Sequence, residues 1–179
     1  SDVCSSDLIA KLIEQKREQD AFALIRYDGK VNVEAGLTNS KRQLAESHKI
    51  DGLARYGGMT AIADAVYQAA SELAGKGYNN KVVMVFSDGY DNRSKMKVDS
   101  VISYCIANNV KVFGVDFGDY INPNYLKNIS ERTGGFYRRI YRTSEFDLLF
   151  DDMYYRLNNA YMLEFETEFY GRHYLEVEL

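Results

Sequence analysis

Cysteine is scarce in this 179-residue sequence, with only Cys4 and Cys105, so the chain has neither a disulfide framework nor a cysteine zinc knuckle. Tryptophan is absent, and no apolar run approaches the ~18 residues that a membrane-spanning helix needs. The formal net charge is only -4, and no basic stripe stands out, which gives no reason to expect nucleic acid as a partner. Hydrophobic residues make up 46% of the chain, enough for the core of one folded domain.

The usual signals of an enzyme are also missing. His48 and His173 lie far apart in the sequence with no partner nearby, so neither indicates acid–base catalysis. No Ser/His/Asp or Cys/His arrangement for a nucleophile is visible. Gly57-Gly58 matches neither the phosphate-loop nor the dinucleotide-binding spacing. These absences favour a binding function over an enzymatic one.

The first eight residues read as foreign sequence. The string Ser-Asp-Val-Cys-Ser-Ser-Asp-Leu matches, codon by codon, the translated end of a common short-read sequencing adapter. Such segments are excluded from fold reasoning. We therefore expect residues 1–8 to be an artefact, the native sequence to begin near Ile9 within a helix, and the sequence before it to be lost.

Strands and helices alternate along most of the chain. Continuous apolar runs predict buried strands at Lys81–Phe86 and Val110–Phe117, and Phe136–Tyr141 is predicted as a further short strand. Helical spacing and helix start and stop signals predict helices around Ile62–Leu73, Val98–Ile106, Pro123–Arg132 and Phe146–Leu157. This alternation predicts a doubly wound (Rossmann-like), mostly parallel α/β sheet with helices on both faces. Ala21–Tyr27 and Val31–Leu37, joined by a turn at Asp28-Gly29, predict a hairpin that supplies one antiparallel edge strand.

Two loops are the candidate ligand site, because open α/β sheets bind ligands beyond the carboxyl ends of their strands. Thr60 follows Gly57-Gly58 at the start of a helix, and Asp88 follows the strand Lys81–Phe86. A hydroxyl and a carboxylate are hard oxygen donors, suited to Mg²⁺ rather than zinc. Two alternatives stay open: Thr60 as a plain helix N-cap, and Asp88-Gly89 as an ordinary turn.

These motifs together resemble a von Willebrand factor type A domain. The resemblance is carried by Gly-Gly-Met-Thr-Ala-Ile from Gly57, by Val-Val-Met-Val-Phe-Ser-Asp-Gly-Tyr-Asp-Asn from Val82, by Val115–Asp119 and by Thr133–Tyr137. It covers the chain from Ile9 to Asn158, so we expect the domain to span residues 9–158. The resemblance implies a metal-ion-dependent adhesion site, usually holding Mg²⁺, in which an acidic group of a partner protein completes the coordination.

In this family three loops build the site: Asp-x-Ser-x-Ser after the first strand, a threonine in the second loop and an aspartate after the fourth strand. Thr60 matches the second element and Asp88 the third. Asp2-Val3-Cys4-Ser5-Ser6 nearly matches the first, but no apolar strand precedes it and it lies in the adapter-like string. We expect the first central strand and its motif to be missing, so that residues 9–179 bind Mg²⁺ weakly or not at all whereas the full-length parent binds it.

The favoured function is a metal-ion-dependent protein-binding or adhesion module. The alternatives are a metal-dependent phosphohydrolase or nucleotide-binding enzyme on a similar sheet, and a metal-free structural domain of the same family. Residues 159–179 alternate apolar and polar positions, which predicts the start of a following β-segment. Such strands resemble those that follow this domain in some bacterial surface or periplasmic proteins, which favours the cell envelope, the periplasm or secretion.

The sequence also predicts the environment of several further residues. Asp91 and Asn92 are interpreted as the entry to a helix before Ser94 rather than as contacts to metal-bound water. Asp116 and Asp119 are interpreted as solvated turn residues. Tyr56 and Tyr90 flank the loops and either form a ligand-facing rim or pack partly exposed. Cys105 is expected to be a buried small hydrophobe.

Overall fold

The structure, a computed structural model, describes residues 5–49, 59–87, 90–117, 123–142 and 144–158. The helices are α1 (Ser5–Gln15), α2 (Lys41–Lys49), α3 (Ile62–Leu73), α4 (Val98–Ala107), α5 (Pro123–Arg132) and α6 (Glu145–Asn158). The strands are β1 (Phe22–Tyr27), β2 (Val31–Thr38), β3 (Lys81–Ser87), β4 (Val110–Asp116) and β5 (Tyr137–Arg139). Within these residues no helix is long and apolar enough to cross a bilayer.

The predicted parallel sheet is present and has the order β3-β4-β5. Its longest ladder runs without interruption from the pair Lys81 and Val110 to the pair Ser87 and Asp116. Because β3 and β4 are parallel and in register, their carboxyl ends meet at one edge of the sheet. The strand β3 ends at this edge with Ser87, the residue directly before Asp88.

Helices cover both faces of this sheet, which confirms the doubly wound arrangement. The core on one face contains Val83 and Val85 of β3 with side chains of α3, α4 and α5, including Cys105, which is fully buried as expected. The core on the other face contains Val82, Met84 and Phe86 of β3 with side chains of α1 and α6. Alternate residues of one strand therefore belong to opposite cores, which explains why its sequence is apolar throughout.

The hairpin differs from the expectation in one respect. The strands β1 and β2 pair antiparallel, as predicted, but they form a two-stranded sheet of their own in the part of the chain that the structure describes. A side-chain hydrogen bond, from the Tyr27 hydroxyl to the backbone oxygen of Phe86 (2.6 Å), links the hairpin to the parallel sheet. A tyrosine side chain spans the distance, so the two backbones lie farther apart than the ~4.8 Å at which neighbouring strands pair.

The helix α1 begins at Ser5, four residues before the expected start of native sequence, and Leu8 is fully buried in the second core. At its end Lys16 is also buried, with 1% of its surface exposed. Its ammonium donates to the backbone oxygen of Arg17 (2.8 Å) and lies 5.9 Å from the centre of the Phe22 ring. Among the described residues it has no carboxylate partner, and a buried charge without one destabilises a fold.

We therefore expect Lys16→Met to raise the free energy of unfolding by about 1–3 kcal/mol, because methionine fills similar space without a buried charge. Guanidinium unfolding at neutral pH measures the change. Lys76→Met is the matched control, since Lys76 is exposed, and it should leave the transition unchanged. A lower stability of Lys16→Met than of the control would show that the buried ammonium is a net stabiliser.

Candidate functional site

The edge formed by the carboxyl ends of β3 and β4 is fixed by backbone hydrogen bonds. Ser87 and Asp116 are paired in the ladder, and the amide of Phe117 donates to the backbone oxygen of Ser87 (2.9 Å). Asp88 follows directly, and it lies outside the described residues together with Gly89. The structure thus describes where the strand that leads to Asp88 ends, and it resumes at Tyr90.

Thr60 lies at the same edge, immediately before α3, with both of its backbone polar groups bound. Its amide donates to the side-chain oxygen of Asn92 (2.8 Å), and its carbonyl accepts from the amides of Asn92 (3.0 Å) and Arg93 (3.1 Å). Its hydroxyl has no hydrogen-bond partner in the described part of the chain. The N-cap position of α3 is Ala61, so the helix-capping alternative for Thr60 is wrong.

The cap of α3 comes from a distant loop. Ala61 has no side chain able to accept a hydrogen bond, and instead Asp91 accepts from the amide of Ala63 (2.9 Å) and Ser94 accepts from the amide of Asp64 (3.2 Å). These are the amides that a capping side chain normally satisfies. A second set of hydrogen bonds joins the same two segments, because the carboxylate of Asp64 accepts from the amides of Lys95 (3.0 Å) and Met96 (2.8 Å).

Asp91 also binds its own loop and α5. Its carboxylate accepts from the Ser94 hydroxyl (2.6 Å), the Ser94 amide (3.0 Å) and the Tyr125 hydroxyl (2.7 Å). Burial by itself would raise the pKa of Asp91, but the hydrogen bonds from Ser94, Ala63 and Tyr125 outweigh it and hold the pKa below its ordinary value. The expectation of a helix entry before Ser94 is wrong, because the next helix, α4, begins only at Val98.

The environment of Asp116 also differs from the expectation. The sequence suggested a solvated turn residue, whereas its surface is only 1% exposed. Its carboxylate accepts a hydrogen bond from the Tyr137 hydroxyl (2.8 Å). Burial raises the pKa of Asp116 to about 6, although the hydrogen bond from Tyr137 and the charge of Arg139 oppose the rise. A packed strand end, rather than a turn in water, explains this environment. Asp119 lies outside the described residues.

Two half-exposed side chains lie beside the candidate residues in the described part of the chain. Met59 and Tyr90 are about half exposed, at 47% and 53%, next to Thr60 and next to the loop of Asp88. The hairpin turn reaches the same place, since a Cβ added at Gly29 would contact Met59 at 3.4 Å. Tyr56, the other expected rim residue, lies outside the described residues. The surroundings of Thr60 therefore offer contact area for a partner as well as polar groups.

The described residues around Thr60 do not by themselves form a complete metal site. Among the residues that the structure describes, no three carboxylate, imidazole or thiolate side chains come together in a way that could hold a metal ion. A site of hydroxyl and carboxylate oxygens, as expected at Thr60 and Asp88, needs the loops outside these residues to be complete.

The fold is that of a doubly wound α/β domain, and its candidate site lies at the carboxyl ends of β3 and β4. Residues 4–155 match the family model of the von Willebrand factor type A domain, and the chain belongs to this family. Domains of this family are protein-interaction and adhesion modules and are generally not enzymes. The resemblance read from the loops is thereby confirmed.

Curated relatives are similar across nearly the whole chain. Inter-alpha-trypsin inhibitor heavy chain H3 from Homo sapiens is 23% identical over 177 residues, and the Bos taurus protein is 22% identical. Each match covers 92% of this chain and 20% of the relative, so the chain spans about a fifth of the length of these curated relatives.

Solved structures share the fold. A von Willebrand factor type A protein from Catenulispora acidiphila superposes with a TM-score of 0.69 at 18% identity, covering 83% of this chain and 38% of that one. Proximal thread matrix protein 1 from the mussel byssus, with a zinc-occupied MIDAS motif, gives 0.65 at 18% identity, covering 82% and 40%. BatB from Bacteroides thetaiotaomicron gives 0.68 at 12% identity, covering 84% and 85%.

Proposed function

We propose that this chain is a metal-ion-dependent protein-binding module. Mg²⁺ is held at the carboxyl edge of the sheet by Thr60 and Asp88, and an acidic side chain of a partner protein completes its coordination. The observation that carries the proposal is the state of Thr60. Its amide and carbonyl are both bound, which fixes its backbone, while its hydroxyl has no partner among the described residues.

The donor chemistry suits the proposal. Mg²⁺ prefers oxygen ligands in octahedral geometry and keeps several of its waters. A threonine hydroxyl and an aspartate carboxylate supply part of that set, and the waters leave positions that a partner carboxylate can take. The remaining protein oxygens are expected from the Asp-x-Ser-x-Ser motif that the family carries after its first strand. A mussel byssus protein of the same fold has a zinc-occupied MIDAS motif, which supports a divalent metal in a domain of this architecture.

The first test removes the two ligands in the full-length protein. Asp88→Ala and Thr60→Ala should each weaken Mg²⁺ binding, measured by calorimetry, by at least about 100-fold, beyond the 10–100-fold typical of residues that only support a ligand. Thr60→Ser is the matched control, because it keeps the hydroxyl, and it should bind within a few-fold of wild type. Equal affinities for wild type, Asp88→Ala and Thr60→Ala would refute the metal assignment.

Carboxylate capture has its own test. With Mn²⁺ at the site of the full-length protein, the relaxation of water protons reports the waters bound to the metal. Acetate should lower this relaxation enhancement by displacing a metal-bound water, whereas acetamide, which has the same shape without the charge, should not. Equal effects of the two compounds would argue against recognition of an acidic group.

A further inference from the structure

The segment that contains Thr60 and the segment that follows Asp88 are held together by a set of hydrogen bonds that we call the clasp. It joins residues 59–64 to residues 90–96. Asn92 binds the backbone of Thr60, Asp91 binds the amide of Ala63, and Asp64 exchanges hydrogen bonds with residues 94–96. The bonded partners are 28–32 residues apart in sequence, so the clasp is tertiary structure and not a local turn.

The clasp, and not α3 alone, determines where Thr60 lies. A helix that begins with a serine, threonine, asparagine or aspartate cap fixes its own first turn. The helix α3 begins after Ala61 and has no side-chain cap of its own. Within the described residues, the acceptors for its first free amides, at Ala63 and Asp64, are Asp91 and Ser94. A displacement of the distant loop would therefore displace the start of α3 and Thr60 with it.

Asp91 is the centre of the clasp because one of its oxygens serves three elements. This oxygen accepts from the amide of Ala63 in α3, from the hydroxyl of Ser94 in its own loop and from the hydroxyl of Tyr125 in α5. Hydrogen bonds to a charged acceptor are about twice as strong as neutral ones. Tyr125 is partly buried, and through its hydroxyl α5 also holds the carboxylate.

Asp91 also lies three residues after Asp88 in the chain, and three residues span at most about 10 Å. The same short loop therefore carries one proposed metal ligand and the residue that holds the other in place. Metal affinity depends on the residues that orient the ligands, and the loss of such a residue typically weakens binding 10–100-fold.

We propose that Asp91, anchored by Tyr125, is a positioning residue that fixes the backbone of Thr60 at the start of α3 and thereby sets the metal affinity of the site. The proposal rests on the proposed function. It assigns no metal contact to Asp91 itself, since its carboxylate is already occupied by donors from three elements.

The experiment compares two tyrosine-to-phenylalanine variants of the full-length protein. Tyr125→Phe removes the hydroxyl that anchors Asp91. Tyr154→Phe removes a hydroxyl of the same kind, which donates to the carboxylate of Asp20 ahead of β1, outside the clasp. Both variants lose a partly buried tyrosine–aspartate hydrogen bond and should lose similar stability. Only Tyr125→Phe should weaken Mg²⁺ binding in calorimetry, by about tenfold, while Tyr154→Phe stays within twofold of wild type.

Exchange of the Ala63 amide with deuterium provides a second readout that requires no metal. Tyr125→Phe should speed it about tenfold relative to Tyr154→Phe, because the acceptor of that amide is released. Equal Mg²⁺ affinity of the two variants, or unchanged exchange at Ala63, would overturn the positioning role. Absence of Mg²⁺ binding by the wild-type protein, with the exchange difference present, would instead refute the proposed function and leave the clasp intact.

Discussion

Replacing Gly135 by alanine is expected to cost more than about 4 kcal/mol of folding stability, which is a large part of the about 5–15 kcal/mol that stabilises an ordinary domain. A Cβ at this position would overlap the backbone oxygen of Val112 and would lie 2.7 Å from its carbonyl carbon. The obstacle is the middle of the central strand β4, which cannot give way as a flexible side chain can. The backbone of Gly135 is also fixed, because its amide donates to the backbone oxygen of Ser130 (2.9 Å).

Two other glycines separate this overlap from the general effect of adding a methyl group. Gly77 has nothing within 4 Å of an added Cβ, so Gly77→Ala should be nearly neutral. Gly134 also has open space but a φ of +73°, so Gly134→Ala should cost about 1–2 kcal/mol through backbone strain alone. Chemical denaturation should show the largest loss of stability for Gly135→Ala, a smaller loss for Gly134→Ala and almost none for Gly77→Ala. A Gly135→Ala protein as stable as Gly77→Ala would disprove the close packing of this segment on β4.

A pH-dependent loss of stability is expected from Asp116. Its pKa is about 6 in the folded protein and 3.8 ordinarily, so between these values the folded state binds the extra proton. The free energy of unfolding should therefore be highest below about pH 4, as far as this group contributes, and should fall by about 3 kcal/mol as the pH rises through 6. The cause is the burial of the carboxylate at the end of β4, which its contact with Tyr137 only partly offsets.

Asp116→Asn should remove this loss, because asparagine is never charged and its side-chain oxygen can still accept from the Tyr137 hydroxyl. Unfolding by urea at a series of pH values should show equal stability of variant and wild type near pH 4, and a more stable variant by up to about 3 kcal/mol at pH 8. Asp151→Asn, at an exposed position of α6, is the control and should follow the wild-type profile. A destabilised Asp116→Asn at pH 8 would mean that the charged form has favourable contacts.

The fold was largely predictable because its signals are local. Continuous apolar runs such as Lys81–Phe86 mark strands buried on both faces, and the helical spacing from Ile62 to Leu73 matches the observed bounds of α3. The hairpin was predicted as well, although its separation from the parallel sheet was not. Strand pairing between distant segments depends on the space between backbones, about which a hydrophobic pattern contains no information.

The candidate site was predictable only in outline. Thr60 and Asp88 follow from motif order, and their role stays a prediction, as do the artefact at residues 1–8 and the β-segment at residues 159–179. The burial of Asp116 and the partners of Asp91 could not be predicted, because both depend on tyrosines 21 and 34 residues away. One signal for the clasp was available: a helix that begins after Ala61, without a capping side chain, needs a cap from elsewhere.

The remote cap of α3 restricts how this domain can be re-engineered. Transplanting residues 90–96 from a relative is an obvious way to transfer its recognition properties, since the loop is short and lies at the surface. Such a graft would also exchange the acceptors for the amides of Ala63 and Asp64. A chimera must therefore retain Asp91 and Ser94, or introduce Ala61→Ser so that the helix supplies its own cap. Otherwise a change intended for the binding surface would loosen the scaffold beneath it.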